Sequence, residues 1–586
     1  MSAILGINFQ HADSAACLLV DGELKTAIAE ERLGSRRKHD PSFPANAIRT
    51  VLANSGLSLS DVTHVAVPRD PNANLTAKFG YVVKNPLEGG RAAVEHFSRR
   101  TASASLRELL AESVGAELSS LQFDEVPVEH HLAHVSSAYY CSPFTDTTAG
   151  FSYDASGDFA SMMAARCVGN KIEVLDRVLL PHSLGFFYTA ICQFIGFDRF
   201  GEEYKVMGLA PYGQDVYQPL MEDLIRLESD GWFRLNTRYF NSHQGGRSGA
   251  LDEEGYILMG RLFTQALVER VGPPRSRNSP ITQREKDLAR SCQVRFERVA
   301  LHCMNQLHKR VPSNQVVYAG GCALNGVANS LFLRDSDFNR TYLQCASSDD
   351  GTSLGAALWA YHNVAGGSER FEMRHAYWGT ESSDETCEKE AAATGMPFKV
   401  YEDCVPERVA EMVDSGMVVG WFQGRSEWGP RALGNRSILA SPLVSDMKAI
   451  INQKIKKRES FRPFAPSVIK EDVADYFEQT VDSPFMMHVV KLRPEWRGRL
   501  PAITHVDGTG RLQTVTAQAN LLYYRLLRRL KELSGVGIVL NTSFNENEPI
   551  VETPRQAIQC FLRTELDAIC LGKTIIVKPE YASHIS

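Results

Sequence analysis

Two histidines, His130 and His134, stand four residues apart in the run EHHLAHVSSAYY. On a helix that spacing projects both imidazoles from one face, so the pair can share a cation. His131 lies about 100° further round the same helix and points elsewhere. Two carboxylates extend the set. Asp154 ends an apolar strand over 148–153, and Asp349 opens a helix after another apolar run at 341–345. Both fall in turns, where a carboxylate is expected to be exposed rather than packed. Two imidazoles and two carboxylates form a mixed nitrogen and oxygen set with room for water or substrate. Such a set suits Fe2+, Mn2+ or Zn2+ better than a soft, thiolate-bound metal. A helical histidine pair alone is more often a polar face, and an Asp at a helix start is as often an N-cap.

A second group of candidates is cationic. GRSEWGPRALGNRS, residues 424–437, packs glycines and arginines together, and Lys456 and Arg462 follow, the latter inside FRPFAP. Prolines flanking aromatics fix that loop, and a fixed Arg fork suits bidentate capture of phosphate or carboxylate. Arg511 in HVDGTGRLQTV, with Asn541 and Ser543 in NTSFN, adds guanidinium, amide and hydroxyl donors. Taken alone, 454–458 reads as a solvated helix face. Gly320-Gly321 after a strand permits close approach of backbone N–H groups to a phosphate, although a lone Gly-Gly is weak and no G-x-x-x-x-G-K-[ST] occurs. Near the N-terminus, His11 and Asp13 sit at a polar junction, and Arg36-Arg37-Lys38-His39 forms a cationic loop that could equally be solvated.

These residues need strands and helices to bring them together. Apolar runs at 3–7, 15–20 and 24–29 are broken by glycines, and Asp21-Gly22 marks a hairpin. Helices are expected at 45–53, 129–140, 186–195, 353–361 and 406–415, and strands at 62–67, 148–153, 315–318 and 418–422. Strand, Gly- or Asp-rich turn, then helix is the α/β unit that sets ligands at strand C-termini. The polar stretch 243–283 reads as loop or lid. A change of character at 364–385 divides the chain into domains over 1–370 and 386–586.

At 586 residues, 44% hydrophobic and 23% charged, the chain has the balance of a multidomain globular protein. A net charge of −6 does not fit a protein that coats nucleic acid or an anionic membrane, so neither partner is expected. No apolar run approaches the roughly 20 residues that span a bilayer. The 12 cysteines are scattered, without C-x-x-C, as reduced and mostly buried thiols would be. With no signal-peptide pattern at the N-terminus, a soluble cytoplasmic protein is expected.

Read in order, GINFQHADSAACLLVDG, EERLGSRRKHDPSFP, EHHLAHVSSAYY, YDASGD, GEEYKVMGLAPYG, GGCALN, SDDGTSLGAA, GRSEWGPRALGNRSI, KRESFRPFAPSV, HVDGTGRLQTV and NTSFNENEP span nearly the whole chain. Together they resemble the O-carbamoyltransferases that modify nodulation factors and antibiotics. The resemblance implies an α/β protein: an N-terminal domain of the actin-like ATPase superfold with duplicated ribonuclease H-like halves, and a smaller YrdC-like α/β domain similar to threonylcarbamoyl-adenylate synthase. It implies that His130, His134, Asp154 and Asp349 hold a divalent metal, Fe2+ before Mn2+ or Zn2+. It implies nucleotide binding by Lys38, Gly320, Gly321 and Asn325, and a carbamoyl-phosphate pocket of Arg431, Lys456, Arg462, Arg511, Asn541 and Ser543. His11, Asp13 and Lys205 are the implied catalytic residues. In the family's opening motif His directly precedes Asp, whereas here Ala12 separates His11 from Asp13.

The implied chemistry has two steps. Carbamoyl phosphate and ATP give carbamoyl-adenylate in the C-terminal domain, and a hydroxyl of a small-molecule natural product or sugar then takes the carbamoyl group in the N-terminal one. Two other readings compete. A fusion that makes and transfers threonylcarbamoyl groups to tRNA would call for a basic RNA-binding stripe, and a non-catalytic actin-like nucleotide-binding module would not turn over carbamoyl phosphate. The sequence leaves the acceptor and the oligomeric state, a homodimer included, open.

Overall fold

Asp21 and Gly22 both adopt left-handed backbone angles, φ +51° and +85°, and so join β2 (Ala15–Val20) to β3 (Glu23–Ala29) in a two-residue hairpin. β1 (Ala3–Asn8) pairs antiparallel with β2 and parallel with β4 (His64–Val67), which pairs parallel with β5 (Asp124–Pro127). The sheet order is β3-β2-β1-β4-β5. The computed structural model describes residues 2–85, 105–229, 231–241, 251–253 and 256–585.

The pattern then repeats. β6 (Thr148–Gly157), β7 (Ala160–Val168) and β8 (Lys171–Leu179) form a second antiparallel meander. A short ribbon of β9 (Ile225–Leu227) and β10 (Phe233–Leu235) follows. β11 (Gln315–Ala319) and β12 (Arg340–Tyr342) add parallel strands, giving the order β12-β11-β6-β7-β8. Matched strand for strand, the two sheets share order and sense. That is the duplicated ribonuclease H-like arrangement of the actin-like ATPase superfold.

Each half closes with an equivalent helix: His130–Tyr139 after β5 and Thr352–Asn363 after β12. These two helices cross closely, and a Cβ on Gly355 would overlap the Ala133 carbonyl. Both are almost wholly buried, which explains why neither shows a strong amphipathic stripe in the sequence.

Two expectations change here. β6 continues through Asp154 to Gly157, and the turn falls at Asp158-Phe159 instead. Asp154 sits where the β6–β7 register breaks between Tyr153 and Gly157 and is buried there, so its carboxylate is packed rather than exposed. The stretch read as loop over 243–283 contains a helix, Gln265–Val271, seated by the buried Leu267; residues 242–250 and 254–255 of that region lie outside the described residues.

The chain divides into two compact units, residues 1–31 with 39–372 and residues 32–38 with 373–586. The second unit is built on a nine-stranded mixed sheet. Its strands are β13 (Phe398–Val400), β14 (Val419–Phe422), β15 (Arg436–Ala440), β16 (Ala465–Ile469), β17 (His488–Lys491), β18 (Thr509–Val515), β19 (Ile538–Ser543), β20 (Ala568–Leu571) and β21 (Thr574–Val577), in the order β13-β21-β20-β14-β15-β19-β16-β18-β17. Apolar cores form on both faces. The helices Val405–Asp414 and Leu521–Ser534 cover one face through residues such as Val409, Val413, Leu526 and Leu530. Pro554–Arg563, capped by a Thr553–Gln556 box, covers the other through Ala557, Ile558 and Phe561.

The glycine- and arginine-rich run between β14 and β15 is held from within. Buried Glu427 accepts through one oxygen from the N–H groups of Leu433 at 2.7 Å, Asn435 at 2.8 Å and Arg436 at 3.1 Å. Glu427→Ala should leave those donors unsatisfied and lower the unfolding free energy by on the order of 3 kcal/mol, whereas Glu427→Gln, which keeps an acceptor, should cost less. Denaturant midpoints of the two variants would measure this, and equal midpoints would refute the loop-tying role.

Candidate metal centre and cationic pocket

The helix His130–Tyr139 presents its first turn to the end of β6 and to the start of the helical turn at Asp349. His130 and His134 are fully buried and their Nε2 atoms lie 3.1 Å apart. Asp154 Oδ2 is 3.5 Å from His130 Nε2 and 3.3 Å from His134 Nε2, and Asp349 Oδ1 is 3.5 Å from each. The four donor atoms all lie within 4.8 Å of one another. An ion about 2.1 Å from each donor places neighbouring donors about 3.0–3.4 Å apart in octahedral or tetrahedral geometry, close to the spacings here. The Nδ1 atoms of both histidines are buried without a hydrogen-bond partner among the described residues. Protons resting there leave both Nε2 lone pairs aimed at the shared point. The two acidic oxygens supply the negative charge, so the donor set fits a divalent cation.

The surroundings fix this geometry. Asp154 turns its other oxygen, Oδ1, to the backbone N–H groups of Ala155 at 2.7 Å and Gly321 at 3.2 Å, which leaves Oδ2 for the histidines. A Cβ on Gly157 would overlap the His130 ring. The His130 N–H donates to Asp158 Oδ2 at 2.9 Å, and the Asp70 N–H donates to the same oxygen at 2.9 Å. Burial works against charge in this cluster, but hydrogen bonds and attraction between partners outweigh it. Asp154 and Asp349 are therefore held below the ordinary carboxylate range, and His130 is held above the ordinary imidazole value. His131 is buried elsewhere, with Nδ1 2.9 Å from Ser152 Oγ.

Gly157→Ala should push the His130 ring out of line and weaken metal binding by about 10–100-fold, the size typical when a ligand's support is lost. Isothermal titration of metal into the chelated protein would check it, and an unchanged affinity would count against the packing role of Gly157.

His11 lies beside the cluster, with Nδ1 3.8 Å from Asp349 Oδ2 and its ring stacked on His130 at 5.0 Å. Burial and the neighbouring His130 push it down to about 4. Asp13, in the left-handed region at φ +63°, meets His39 instead: His39 Nδ1 is 2.6 Å from Asp13 Oδ1. Lys205 forms an ion pair with Glu202 at 2.7 Å. Gly320, at φ +106°, packs on the Tyr153 backbone where a Cβ would overlap, so the Gly-Gly turn is shaped to the end of β6. Asn325 caps the helix Gly326–Asp335 and exchanges amide hydrogen bonds with Gln293 at 3.0 and 3.1 Å. Two residues of this neighbourhood carry no assigned role in the sequence: Asp158, inside the quoted YDASGD, and His39, which ends the cationic loop Arg36–His39.

The second unit gathers the other candidates. Asn541 Nδ2 donates to Gln513 Oε1 at 2.9 Å and Ser467 Oγ at 3.1 Å, while its Oδ1 is buried without a partner among the described residues. Arg511 and Arg431 are close enough that burial and mutual repulsion hold Arg511 well below its usual value. Lys456 is buried, and its ammonium donates to the Asn545 carbonyl and Oδ1, both at 2.7 Å, and to the Ser543 carbonyl. Burial, with Arg458, Lys38 and Arg462 nearby, pushes Lys456 well below the ordinary amine range. Arg462 lies 3.7 Å from Glu459. Of the residues read as nucleotide-binding, Lys38 belongs to this second unit, and Gly320, Gly321 and Asn325 belong to the first. All 12 cysteines are free, and 10 of them are buried. Among the described residues no helix is long and apolar enough to cross a membrane.

The family model for the carbamoyltransferase N-terminus matches residues 3–358, and that for the carbamoyltransferase C-terminus matches residues 410–578. An uncharacterized protein of Synechocystis is 37% identical over 99% of this chain and 97% of its own length. The nodulation protein NolNO of Sinorhizobium fredii is 37% identical over 97% of this chain and 79% of its own. The 3'-hydroxymethylcephem-O-carbamoyltransferase of Amycolatopsis lactamdurans is 35% identical over 41% of this chain and 44% of its own.

Proposed function

This chain belongs to the carbamoyltransferase family, and from that premise we propose that it is an ATP-dependent O-carbamoyltransferase acting on a hydroxyl of a small-molecule natural product. One observation carries the reading: four metal-type donors converge in the first unit, while buried Lys456 and the partly buried Arg431, Arg462 and Arg511 belong to the second. Two sites of opposite character suit two reactions on different charges.

In the proposed sequence the second, YrdC-like unit hydrolyses carbamoyl phosphate, one water breaking the mixed anhydride to give phosphate and carbamate. The carbamate oxygen then attacks the α-phosphorus of ATP, pyrophosphate leaves, and carbamoyl-adenylate results. Arg431, Arg511 and Arg462 offset the phosphate charge that builds in this step. Lys456 holds the Ser543–Asn545 loop in shape, and Asn541 and Ser543 offer amide and hydroxyl contacts. In the first unit an acceptor hydroxyl attacks the carbamoyl carbon and AMP leaves with the bonding pair, giving the carbamate ester. His11, beside the cluster and low in basicity, and Asp13, oriented by His39, are the groups placed to take the hydroxyl proton. His130, His134, Asp154 and Asp349 would hold a divalent ion, Fe2+ by the family resemblance, whose chemistry is to polarise the carbonyl or stabilise the leaving phosphate. The Gly320–Asn325 turn would receive the nucleotide. A cytoplasmic setting supplies both ATP and carbamoyl phosphate.

The direct test supplies ATP, carbamoyl phosphate and a panel of hydroxylated acceptors to protein purified under reducing, anaerobic conditions. Product gaining one carbamoyl group, with AMP and pyrophosphate formed in step, is expected. Carbamoyl transfer that proceeds without ATP would overturn the adenylate route.

A further inference from the structure

β1, β4 and β5 run parallel, side by side, in the first sheet, so their carboxyl ends lie along one edge. In open α/β sheets that edge is where ligands sit. The continuation of β1 carries His11, and the continuation of β5 carries His130 and His134. The continuation of β4 begins Pro68-Arg69-Asp70. Between the two copies, β4 corresponds to β11 and β5 to β12. β12 leads to Asp349 as β5 leads to His130, and β11 leads to the Gly320-Gly321 turn as β4 leads to Arg69. An arginine therefore follows the strand in the first copy where the glycine turn follows it in the second.

Hydrogen bonds tie Arg69 to both sides of the metal-type cluster. Its guanidinium donates to Gln10 Oε1, and Gln10, in the left-handed region at φ +64°, directly precedes His11. The Arg69 N–H donates to the Val67 carbonyl at 2.8 Å, an oxygen that also accepts from the Val128 N–H at 2.9 Å, two residues before His130. Asp70 gives its N–H to Asp158 Oδ2 at 2.9 Å, the oxygen that accepts from the His130 N–H. The Asp70 carboxylate turns back to the Asn72 N–H at 2.9 Å and so closes its own turn. Arg69 is half-buried, and the bond to Gln10 comes from one nitrogen of a fork that has five N–H donors. Its charge bears on His11.

We propose that Arg69 is a further catalytic residue of the transfer step, its guanidinium contacting the phosphate of the adenylate donor and of the AMP that leaves. This assignment rests on the two-step reading above. In that step the acceptor oxygen bonds to the carbamoyl carbon and the bond from this carbon to the phosphate oxygen breaks. The bonding pair stays on the phosphate, and the hydroxyl proton passes to His11 or Asp13. The phosphate is singly charged in the adenylate and gains a second negative charge as AMP departs. An arginine beside it therefore gains attraction as the bond breaks, and such a gain lowers the barrier rather than only tightening binding.

The experiment uses the full-length chain with Arg69→Met, which keeps a stem and removes the charge, and Arg69→Lys, which keeps a charge without the fork. Transfer from supplied carbamoyl-adenylate should fall about 100-fold in kcat for Arg69→Met, with KM changed far less. Arg69→Lys should recover part of that loss. Metal content should stay at the wild-type value in both. Inhibition of the same transfer reaction by AMP and by adenosine then reads the phosphate at this site alone. In Arg69→Met the inhibition constant for AMP should rise about tenfold or more, while that for adenosine stays unchanged. An unchanged AMP constant would overturn the assignment. So would loss of metal from Arg69→Met, which would make Arg69 a support of the cluster instead. Wild-type protein that does not transfer from carbamoyl-adenylate at all would sink the two-step reading and this assignment with it.

Discussion

A His134→Ala protein should lose its metal and its carbamoyl transfer together, while still exchanging pyrophosphate into ATP when given carbamoyl phosphate. The donors around His134 Nε2 lie at 3.1–3.5 Å, so no other side chain can fill its corner of the cluster without moving. Losing a direct ligand should weaken metal binding by more than the roughly 10–100-fold that follows loss of a ligand's support. It also leaves buried Asp154 and partly buried Asp349, both held in their charged form, short of a neutralising partner. His130→Ala should behave alike. The measurements are metal content after anaerobic purification, exchange rate, and transfer from supplied adenylate. Wild-type metal content in both variants would remove the ligand assignment. Chelation of the wild-type protein should give the same profile reversibly.

The mirror result is expected from the arginines. Arg462→Ala should slow carbamoyl-adenylate formation by about 30-fold or more, the equivalent of about 2 kcal/mol of lost charged hydrogen bonding in the transition state. Arg462→Lys should rescue little, because an ammonium lacks the planar fork. Arg511→Ala should fail in the same half-reaction. Repulsion from Arg431 and burial oppose the Arg511 charge. Transfer from supplied adenylate should survive in both. If both classes of variant lost both half-reactions while folded, one composite active site would be the better account.

Local signals carried far in this chain. The hairpin at Asp21-Gly22, the i,i+4 histidines and the strand-to-turn junction before Gly320 are short-range patterns, and each lies where the sequence put it. What failed were statements about exposure. Asp154 looks like a turn residue because Ala155, Ser156 and Gly157 follow it, yet its contacts with His130, His134 and the Gly321 N–H, distant in sequence, decide its environment. The same holds for Asn325, whose cap and exchange with Gln293 need the helix Gln283–Arg310 alongside. Among the arginines of the 424–437 run, nothing local separates Arg436, wholly buried, stacked 3.6 Å from the centre of the Phe422 ring and bonded to four carbonyls, from Arg431, which faces Arg511. Nothing local assigns His39 a role, because its partner, Asp13, is reached only through the fold.

The two sheets with one strand order have a consequence for how the first unit could be taken apart. His130 and His134 belong to the helix that closes the first copy, and Asp154 and Asp349 belong to the second. Neither copy therefore owns more than half of the donor set. A duplication that began with two self-sufficient halves would have ended, once this cluster formed, with neither able to work alone. Proteolytic nicking at the exposed Thr145–Thr147 segment offers a way to see it. The two fragments, separated in denaturant, should each bind the cation weakly, and mixing them should restore tight binding in proportion to reassembly. Ion uptake would then serve as a complementation signal for an ancestral pairing that the unbroken chain conceals.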